Sequence, residues 1–170
     1  MDNLITVEEF KTFRKLSRKV DTEKASEAIT LAQESDFSKV LGDFYFDVYK
    51  NRAEASYSSL FAGSEFTIDG EPFFHRGLKA FLADLAYSRY IYMINVNLTP
   101  FGAQEKFTQD SKGIDRNTIK DISVQAQVDA TEKFRIIKKY IESEPVLFSR
   151  YGTNKTGRSS GLGEIRVSRL

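Results

Sequence analysis

The chain has 170 residues, of which 41% are hydrophobic and 29% are charged. This length suits one domain, and the balance is typical of a globular protein rather than of a disordered or fibrous one. The formal net charge of +1 gives no indication of a nucleic-acid partner, and the lack of cysteine excludes disulfides, thiolate metal sites and a cysteine nucleophile. Neither a signal-peptide core nor an apolar stretch of membrane-spanning length is present, so no membrane partner is expected.

Charge is distributed unevenly along the chain. From Pro145 to Leu170 there are five basic residues and one acidic residue, a net +4, and subtracting these from the totals leaves −3 for the rest. The last segment is also rich in glycine and serine, and it lacks the apolar residues needed for a core of its own. We therefore predict a helical domain over residues 1–145 and a flexible basic arm over residues 146–170.

Three helical segments are predicted before residue 50. Thr6 and Glu9 have the spacing of a capping box, which predicts a helix from about Val7 to Leu16. Asp21 or Thr22 begins a second helix, whose small and apolar residues recur every three or four positions: Ala25, Ala28, Ile29 and Ala32. The segment 36–50 is ambiguous, since its aromatic residues alternate as in a strand while its aliphatic residues have helical spacing. We favour a helix there.

A small β-hairpin is predicted near residues 65–74. Asp69 and Gly70 are the residue types that a tight two-residue hairpin turn requires, and the apolar residues Phe66, Ile68 and Phe73 flank them. Two strands alone are only marginally stable. The hairpin should therefore pack on the helical body or on a neighbouring subunit.

The segment from Gly77 to Asn97 is predicted to be a buried central helix, because apolar residues occupy most of its faces. The sequence Thr99-Pro100-Phe101-Gly102 should stop it, and residues 103–113 are polar and predicted to be extended or looped. Regular apolar spacing then predicts a long helix from Asp115 to Ser143, ended by Glu144-Pro145. The expected fold is mainly α: a helical bundle around a buried central helix, with a small β-hairpin and an extended C-terminal arm.

The arm ends in a nearly alternating apolar pattern at Ile165, Val167 and Leu170. A flexible spacer followed by a strand-like patch resembles an arm that adds to the edge of another sheet. The residues that we predict to bind a partner are Arg150, Tyr151, Arg158, Ile165, Arg166, Val167 and Leu170.

The sequence offers little for catalysis. His75 is the only histidine, and no nucleophile lies near it in the sequence, so we expect it to be a capping or packing residue. Nucleotide-binding and nucleophile-elbow fingerprints are absent. We predict that the protein is not an enzyme, and we assign no catalytic, cofactor-binding or metal-binding residue. The eight tyrosines are candidates for subunit contacts, where an apolar ring with a polar tip is enriched.

The order of several segments is similar to that of a known family. LGDFYFDVY is followed by the hairpin, then by GLKAFLADLAYSRYI, TPFGAQEKFTQDS and a long helix ending in YIESEP. This order resembles the head-to-tail connector (adaptor) proteins of tailed bacteriophages, and most of all the divergent group from phages and prophages of Bacteroidetes hosts, including crAss-like phages. The resemblance runs from about Asp21 to Pro145, and its most specific pieces begin at Gly77, Ala86 and Thr99.

The resemblance implies a structural virion protein, assembled in the cytoplasm of a bacterial host. Such a subunit belongs to a homo-oligomeric, commonly dodecameric ring in the neck, docks to the portal protein and to another neck or tail protein, and continues the channel through which DNA passes without sequence-specific contacts. No cofactor is implied. The alternative from the residues alone is a nucleic-acid-binding or regulatory helical adaptor module that uses the basic tail, or an unrecognised small enzyme.

Overall fold

The computed structural model describes residues 2–17, 20–94, 96–99, 102–105 and 115–152. The helices are α1 (Val7–Arg14), α2 (Thr22–Leu31), α3 (Ser38–Leu41), α4 (Phe44–Lys50), α5 (Ser58–Ala62), α6 (Gly77–Met93) and α7 (Arg116–Ser143). A π-helical turn, Ala32–Phe37, joins α2 to α3, and a 3-10 turn, Ala55–Tyr57, precedes α5. The strands are β1 (Ser64–Ile68), β2 (Glu71–His75), β3 (Val96–Thr99) and β4 (Gly102–Glu105), and they form two separate antiparallel hairpins. The mainly α fold with a small β-hairpin is therefore confirmed.

Helix α6 is the centre of the bundle, as predicted. It packs against α1, α2, α5 and α7, and its residues are buried on nearly every side, Leu85 among them. A helix that neighbours surround gains nothing from a polar face, and this explains why its sequence is apolar almost all round. Within the described part of the chain, no helix is both long and apolar enough to cross a membrane.

The predicted end of the central helix at Asn97 is wrong. Helix α6 ends at Met93, and Val96–Thr99 is a strand that pairs with Gly102–Glu105. β-branched Val96 and Thr99 suit a strand, and the two residues between β3 and β4 give the length of a tight hairpin loop. One turn of apolar spacing cannot distinguish a helix from a short strand. Residues 103–105 are extended, which is one of the two predicted alternatives, and residues 106–113 lie outside the described residues.

The N-terminal predictions are confirmed. Thr6 accepts a hydrogen bond from the Glu9 amide, and the Glu9 carboxylate accepts one from the Thr6 amide, so the capping box is complete. Asp21 caps α2. The ambiguous segment 36–50 is helical, and Gly42, with φ 56°, divides it into α3 and α4.

Helix α7 has the predicted extent, with Asp115 as its N-cap. Its apolar stripe packs along α6, and Ser123 Oγ donates a hydrogen bond of 2.9 Å to the carbonyl of Ser88 between the two helices. At 28 residues and 1.5 Å per residue, α7 is roughly 42 Å long.

The predicted boundary between domain and arm, at residue 146, is too early. Residues 145–152 form a series of turns, which we call the arm root, and Phe148 within it is only 2% exposed. A proline ends a helix, but it does not prevent the following residues from packing back on the core. The packed domain therefore extends at least to Gly152, and residues 153–170 of the predicted arm lie outside the described residues.

Candidate assembly interface

The hairpin β1–β2 is built as its turn residues predict. Asp69 and Gly70 both have positive φ, 53° and 83°, which is the combination required at the two central positions of a type I′ turn. The pairing runs from Ile68 opposite Glu71 to Ser64 opposite His75. Phe66 and Phe73 are directly opposite each other, with ring centroids 5.6 Å apart.

Two glycines join the hairpin to the helices. Gly63 precedes β1 and Gly77 begins α6, and both have positive φ. A Cβ atom on Gly77 would lie 2.2 Å from the carbonyl oxygen of Phe61, and one on Gly63 would lie 2.5 Å from the carbonyl oxygen of His75. The backbones entering and leaving the hairpin therefore cross at a distance that only glycine allows.

His75 closes the base of the hairpin. It is 1% exposed, its ring stacks on Tyr140 at 4.3 Å, and Nε2 lies 3.0 Å from Ser64 Oγ. Among the described residues, the buried Nδ1 atom has no hydrogen-bond partner. Burial lowers the pKa of His75 to about 4, because the charged ring would lose its hydration. His75 is thus a neutral packing residue at physiological pH, as the sequence predicts.

An aromatic cluster connects the hairpin to the arm root. The ring of Tyr140 lies 5.4 Å from Phe66 of the hairpin and 5.7 Å from Phe148 of the arm root. Phe148 also contacts Tyr57 at 5.4 Å, and Tyr151 contacts Phe44 at 5.2 Å. The point from which residues 153–170 depart is therefore fixed on the rigid body, one aromatic ring away from the inner face of the hairpin.

Asp47 adds a polar tie beside this cluster. The hydroxyl of Tyr57 donates a hydrogen bond of 2.5 Å to Asp47 Oδ2, and Asp47 Oδ1 lies 3.6 Å from Arg150 Nε. Burial, together with the adjacent carboxylate, raises the pKa of Tyr57 to about 12. The buried carboxylate of Asp47 thus connects helix α4 to the 3-10 turn and to the arm root.

Two of the seven predicted partner-binding residues lie in the described part of the chain, and five lie outside it. Arg150 lies at the surface beside Asp47, and Tyr151 is half-buried against Phe44, where burial raises its pKa to about 12. Arg158, Ile165, Arg166, Val167 and Leu170 lie outside the described residues. Tyr151 therefore helps to anchor the arm root, and the residues at the end of the arm stay a prediction.

The three most exposed large apolar side chains of the described residues were missed by sequence reasoning. Phe46 on α4 is 64% exposed, Phe74 on the outer face of the hairpin is 56% exposed, and Val146 in the arm root is 92% exposed. Phe74 carried a usable signal, because adjacent residues of a strand point to opposite faces, and Phe73 and Phe74 cannot both face the core. Exposed apolar groups of this kind are common in surfaces that bind other proteins.

The proposal that tyrosines mediate subunit contacts is wrong for the buried ones. Tyr45, Tyr57, Tyr90 and Tyr140 belong to the core of the chain itself. Tyr92, at the end of α6, is exposed. Composition shows that a chain has many tyrosines, but it cannot show which of them the bundle covers.

Buried and partly buried ion pairs of the described residues join helices to each other. Asp84 of α6 is fully buried, lies 2.8 Å from Arg14 of α1 and also pairs with Lys133 of α7. Asp36 accepts two hydrogen bonds from Arg89, at 2.7 and 3.0 Å.

Within the described ranges, acidic and histidine side chains do not gather in groups of three that could hold a metal ion. An open depression there is lined by α2 alone, with Thr22, Glu23, Ser26, Glu27, Thr30 and Leu31.

The fold and this surface define a small helical-bundle protein with a β-hairpin beside an anchored C-terminal arm. By sequence, the chain belongs to a family of unknown function, DUF6712, whose model matches residues 37–161. The matched part contains the hairpin, α6, α7 and the arm root. Neither a curated protein nor a solved structure gives a significant match to the chain.

Proposed function

We propose that the protein is a structural subunit of a ring in the head-to-tail connector of a tailed phage, where it docks to the portal protein and continues the DNA channel in the virion neck. The proposal begins from the resemblance of the segment order, which the family match does not address. In this role the subunit has no catalytic residue and no cofactor. Its work is mechanical: it holds a fixed shape and presents the hairpin, the exposed apolar residues and the arm to its partners.

One observation supports this role above the others. A rigid helical body anchors the arm root beside a hairpin whose outer face carries exposed Phe74. The buried ion pairs and the aromatic cluster join elements within the subunit, as Asp84 and Tyr140 show. A subunit that must keep its shape while it binds identical neighbours needs this division between a fixed body and exposed contact elements.

Purified phage particles test the proposal. The protein should be present in a fixed ratio to the portal protein, and a reconstruction of the neck should show its helical bundle as a ring of dodecameric symmetry below the portal. The portal protein serves as the internal standard for copy number. Particles that are complete and infectious without this chain would rule the proposal out.

The alternative of nucleic-acid binding through the basic tail stays a prediction, since residues 153–170 lie outside the described residues. It predicts an affinity of the isolated chain for DNA that falls steeply as salt is raised. A passive channel subunit should show no such affinity at physiological salt.

A further inference from the structure

Within the part of the chain that the structure describes, one backbone edge of strand β1 has no pairing partner. In a hairpin closed by a two-residue turn, the pair next to the turn is hydrogen-bonded, and hydrogen-bonded and non-bonded pairs then alternate. Ile68–Glu71, Phe66–Phe73 and Ser64–His75 are therefore the bonded pairs. The N–H and C=O groups of Glu65 and Thr67 point outward, and within the described residues they make no hydrogen bond.

The two edges of the hairpin are not equivalent. On β2 the outward positions are Pro72 and Phe74, and proline has no N–H to donate. Proline on an edge strand is a common device against pairing with another chain. Edge β2 is protected in this way, while edge β1 keeps its complete set of donors and acceptors.

The side chains of β1 define what could pair there. Phe66 and Ile68 on the inner face are only half-buried, and Glu65 on the outer face is exposed. The hairpin carries Glu65, Asp69 and Glu71 and contains no lysine or arginine. An incoming strand should therefore have apolar residues on one face and a basic residue on the other.

We propose that residues 164–170 of a second copy of this chain add as a strand along the outer edge of β1. Ile165 and Val167 alternate with Arg166 and Ser168, so the two aliphatic side chains share one face of an extended segment. Placed beside β1, they extend the apolar surface of Phe66 and Ile68, and Arg166 lies on the face of Glu65. Residues 153–170 carry Lys155, Arg158, Arg166 and Arg169 against Glu164, and this net positive charge complements the acidic hairpin.

The length of the spacer allows the arm to reach a second copy. Tyr140 alone separates the arm root from Phe66, with centroid distances of 5.7 and 5.4 Å. The spacer 153–163, in contrast, can extend over roughly 35–40 Å. Such a spacer can reach an adjacent subunit, and the double variant described below detects a return to the chain's own hairpin. Exchange of arms in one direction repeats head to tail, which closes a ring if the rotation allows it.

Cysteine cross-linking tests the pairing directly, because the natural chain has no cysteine. Full-length Thr67→Cys is mixed with full-length Ser168→Cys, or with Arg166→Cys to cover the other register, under mild oxidation. We expect mixed disulfide dimers between the two variants. Phe74→Cys is the matched control, since it faces outward on the opposite strand, about 10 Å from the added strand and beyond the reach of a disulfide.

Two outcomes of this experiment reject the proposal. One is a yield of mixed dimers no higher than with Phe74→Cys. The other is a Thr67→Cys/Ser168→Cys double variant that closes only within single chains, which would place the arm on its own hairpin.

Removal of the edge donor gives a second measurement. Thr67→Pro deletes an outward N–H but leaves the bonded pairs of the hairpin intact, as Pro72 does on the other strand, whereas Thr67→Val keeps the N–H. Self-association of Thr67→Pro should weaken by about tenfold or more, because the variant loses one backbone hydrogen bond to the added strand and disturbs the neighbouring ones. Thr67→Val should associate like the parent. Equal association of Thr67→Pro and Thr67→Val would overturn the proposal.

This inference rests on the proposed assembly function, but the two can fail separately. If cross-linking fails while the chain is still present as a ring in particles, only the strand exchange is rejected. If cross-linking succeeds and particles lack the chain, copies pair as described but the neck is not their location.

Discussion

Single polar residues inside this bundle connect parts of the chain that are far apart in sequence. Asp84 of α6 joins Arg14 of α1 to Lys133 of α7. The amide of Gln33, in the π-helical turn, accepts a hydrogen bond of 2.7 Å from the Leu4 amide and donates one of 3.1 Å to the Asp2 carbonyl. A buried polar group is stable only when its partners are present, so each of these contacts fixes one specific arrangement of elements.

His75 should make stability depend on pH. Its pKa is about 4 in the folded chain and near 6.5 when unfolded, so the unfolded chain binds the proton more readily between these values. The stabilisation is complete above pH 6.5 and is lost as the pH falls from 6.5 towards 4. Between pH 7 and pH 5 the free energy of unfolding should fall by roughly 1–2 kcal/mol on account of this residue.

Urea unfolding of the parent and of His75→Phe measures this loss. Phenylalanine retains a ring beside Tyr140 but cannot be protonated, so the profile of the variant should be flatter between pH 7 and pH 5. Parallel profiles for the two proteins would show that burial does not lower the pKa of His75 in the folded chain.

Gly77 should be far less replaceable than Gly70. Both have positive φ, but a Cβ on Gly77 would collide with the Phe61 backbone, while one on Gly70 meets no atom within 4 Å. We expect Gly77→Ala to cost roughly 3 kcal/mol or more, because the backbone crossing must open, and Gly70→Ala to cost about 1 kcal/mol from conformation alone. Thermal melting of the two variants checks the order, and equal melting temperatures would contradict it.

At the level of elements, α6 and α7 form the frame to which the shorter pieces attach. The hairpin packs on α7 through β2, and α1, α2 and α5 pack on α6. The π-helical turn lies between α2 and α3 and directs Phe37 into the core, beside Phe81 at 5.6 Å. A widened turn of this kind rotates the following residues, which allows one long helical segment to present apolar side chains to the same core on both sides of the turn.

Replacement of Leu85 by alanine tests the position of α6. Leu85 is fully buried in the middle of the helix, so the loss of burial and the resulting cavity should destabilise the chain by roughly 2–5 kcal/mol. Val128→Ala on the exposed side of α7 is the control and should change stability by no more than about 0.5 kcal/mol. Denaturant midpoints that do not separate the two variants would contradict the central position of α6.

At the level of the whole molecule, the effect of a C-terminal truncation on stability depends on whether it removes the packed arm root or only the residues after Gly152. Phe148 is in the core, whereas the basic residues of the arm beyond Gly152 are proposed to act between copies. Deletion of residues 153–170 should leave the melting temperature unchanged and prevent stable incorporation into particles. Deletion of residues 146–170 should also lower stability by roughly 3–5 kcal/mol, because it removes a buried phenylalanine.

The two truncations are compared by melting curves and by their copy number in particles. Full incorporation of the 153–170 deletion would show that the arm is dispensable for assembly. A large drop in its melting temperature would show instead that residues after Gly152 stabilise their own domain.

Local chemistry along the sequence was enough to predict several elements of this fold. The capping box at Thr6 and Glu9, the turn at Asp69-Gly70 and the largely apolar character of α6 each depend on neighbouring residues. The regular spacing along α7 predicted its length for the same reason. Such signals are readable because the interactions that they report span only one or two turns of chain.

The features that define the candidate interface were decided by tertiary structure. The arm root packs because Phe148 meets Tyr57, which lies far away in the sequence, as well as Tyr140 near the end of α7. The crossing at Gly77 depends on the backbone of Phe61, and the burial of the tyrosines depends on which helix covers each ring. The end of α6 at Met93 was missed because a short apolar stretch fits the period of a helix as well as that of a strand. The pairing of β3 with β4 makes this stretch a strand. The sequence by itself determined most of the elements, and contacts between distant residues determined which surfaces stay uncovered, because burial is a property of the folded chain.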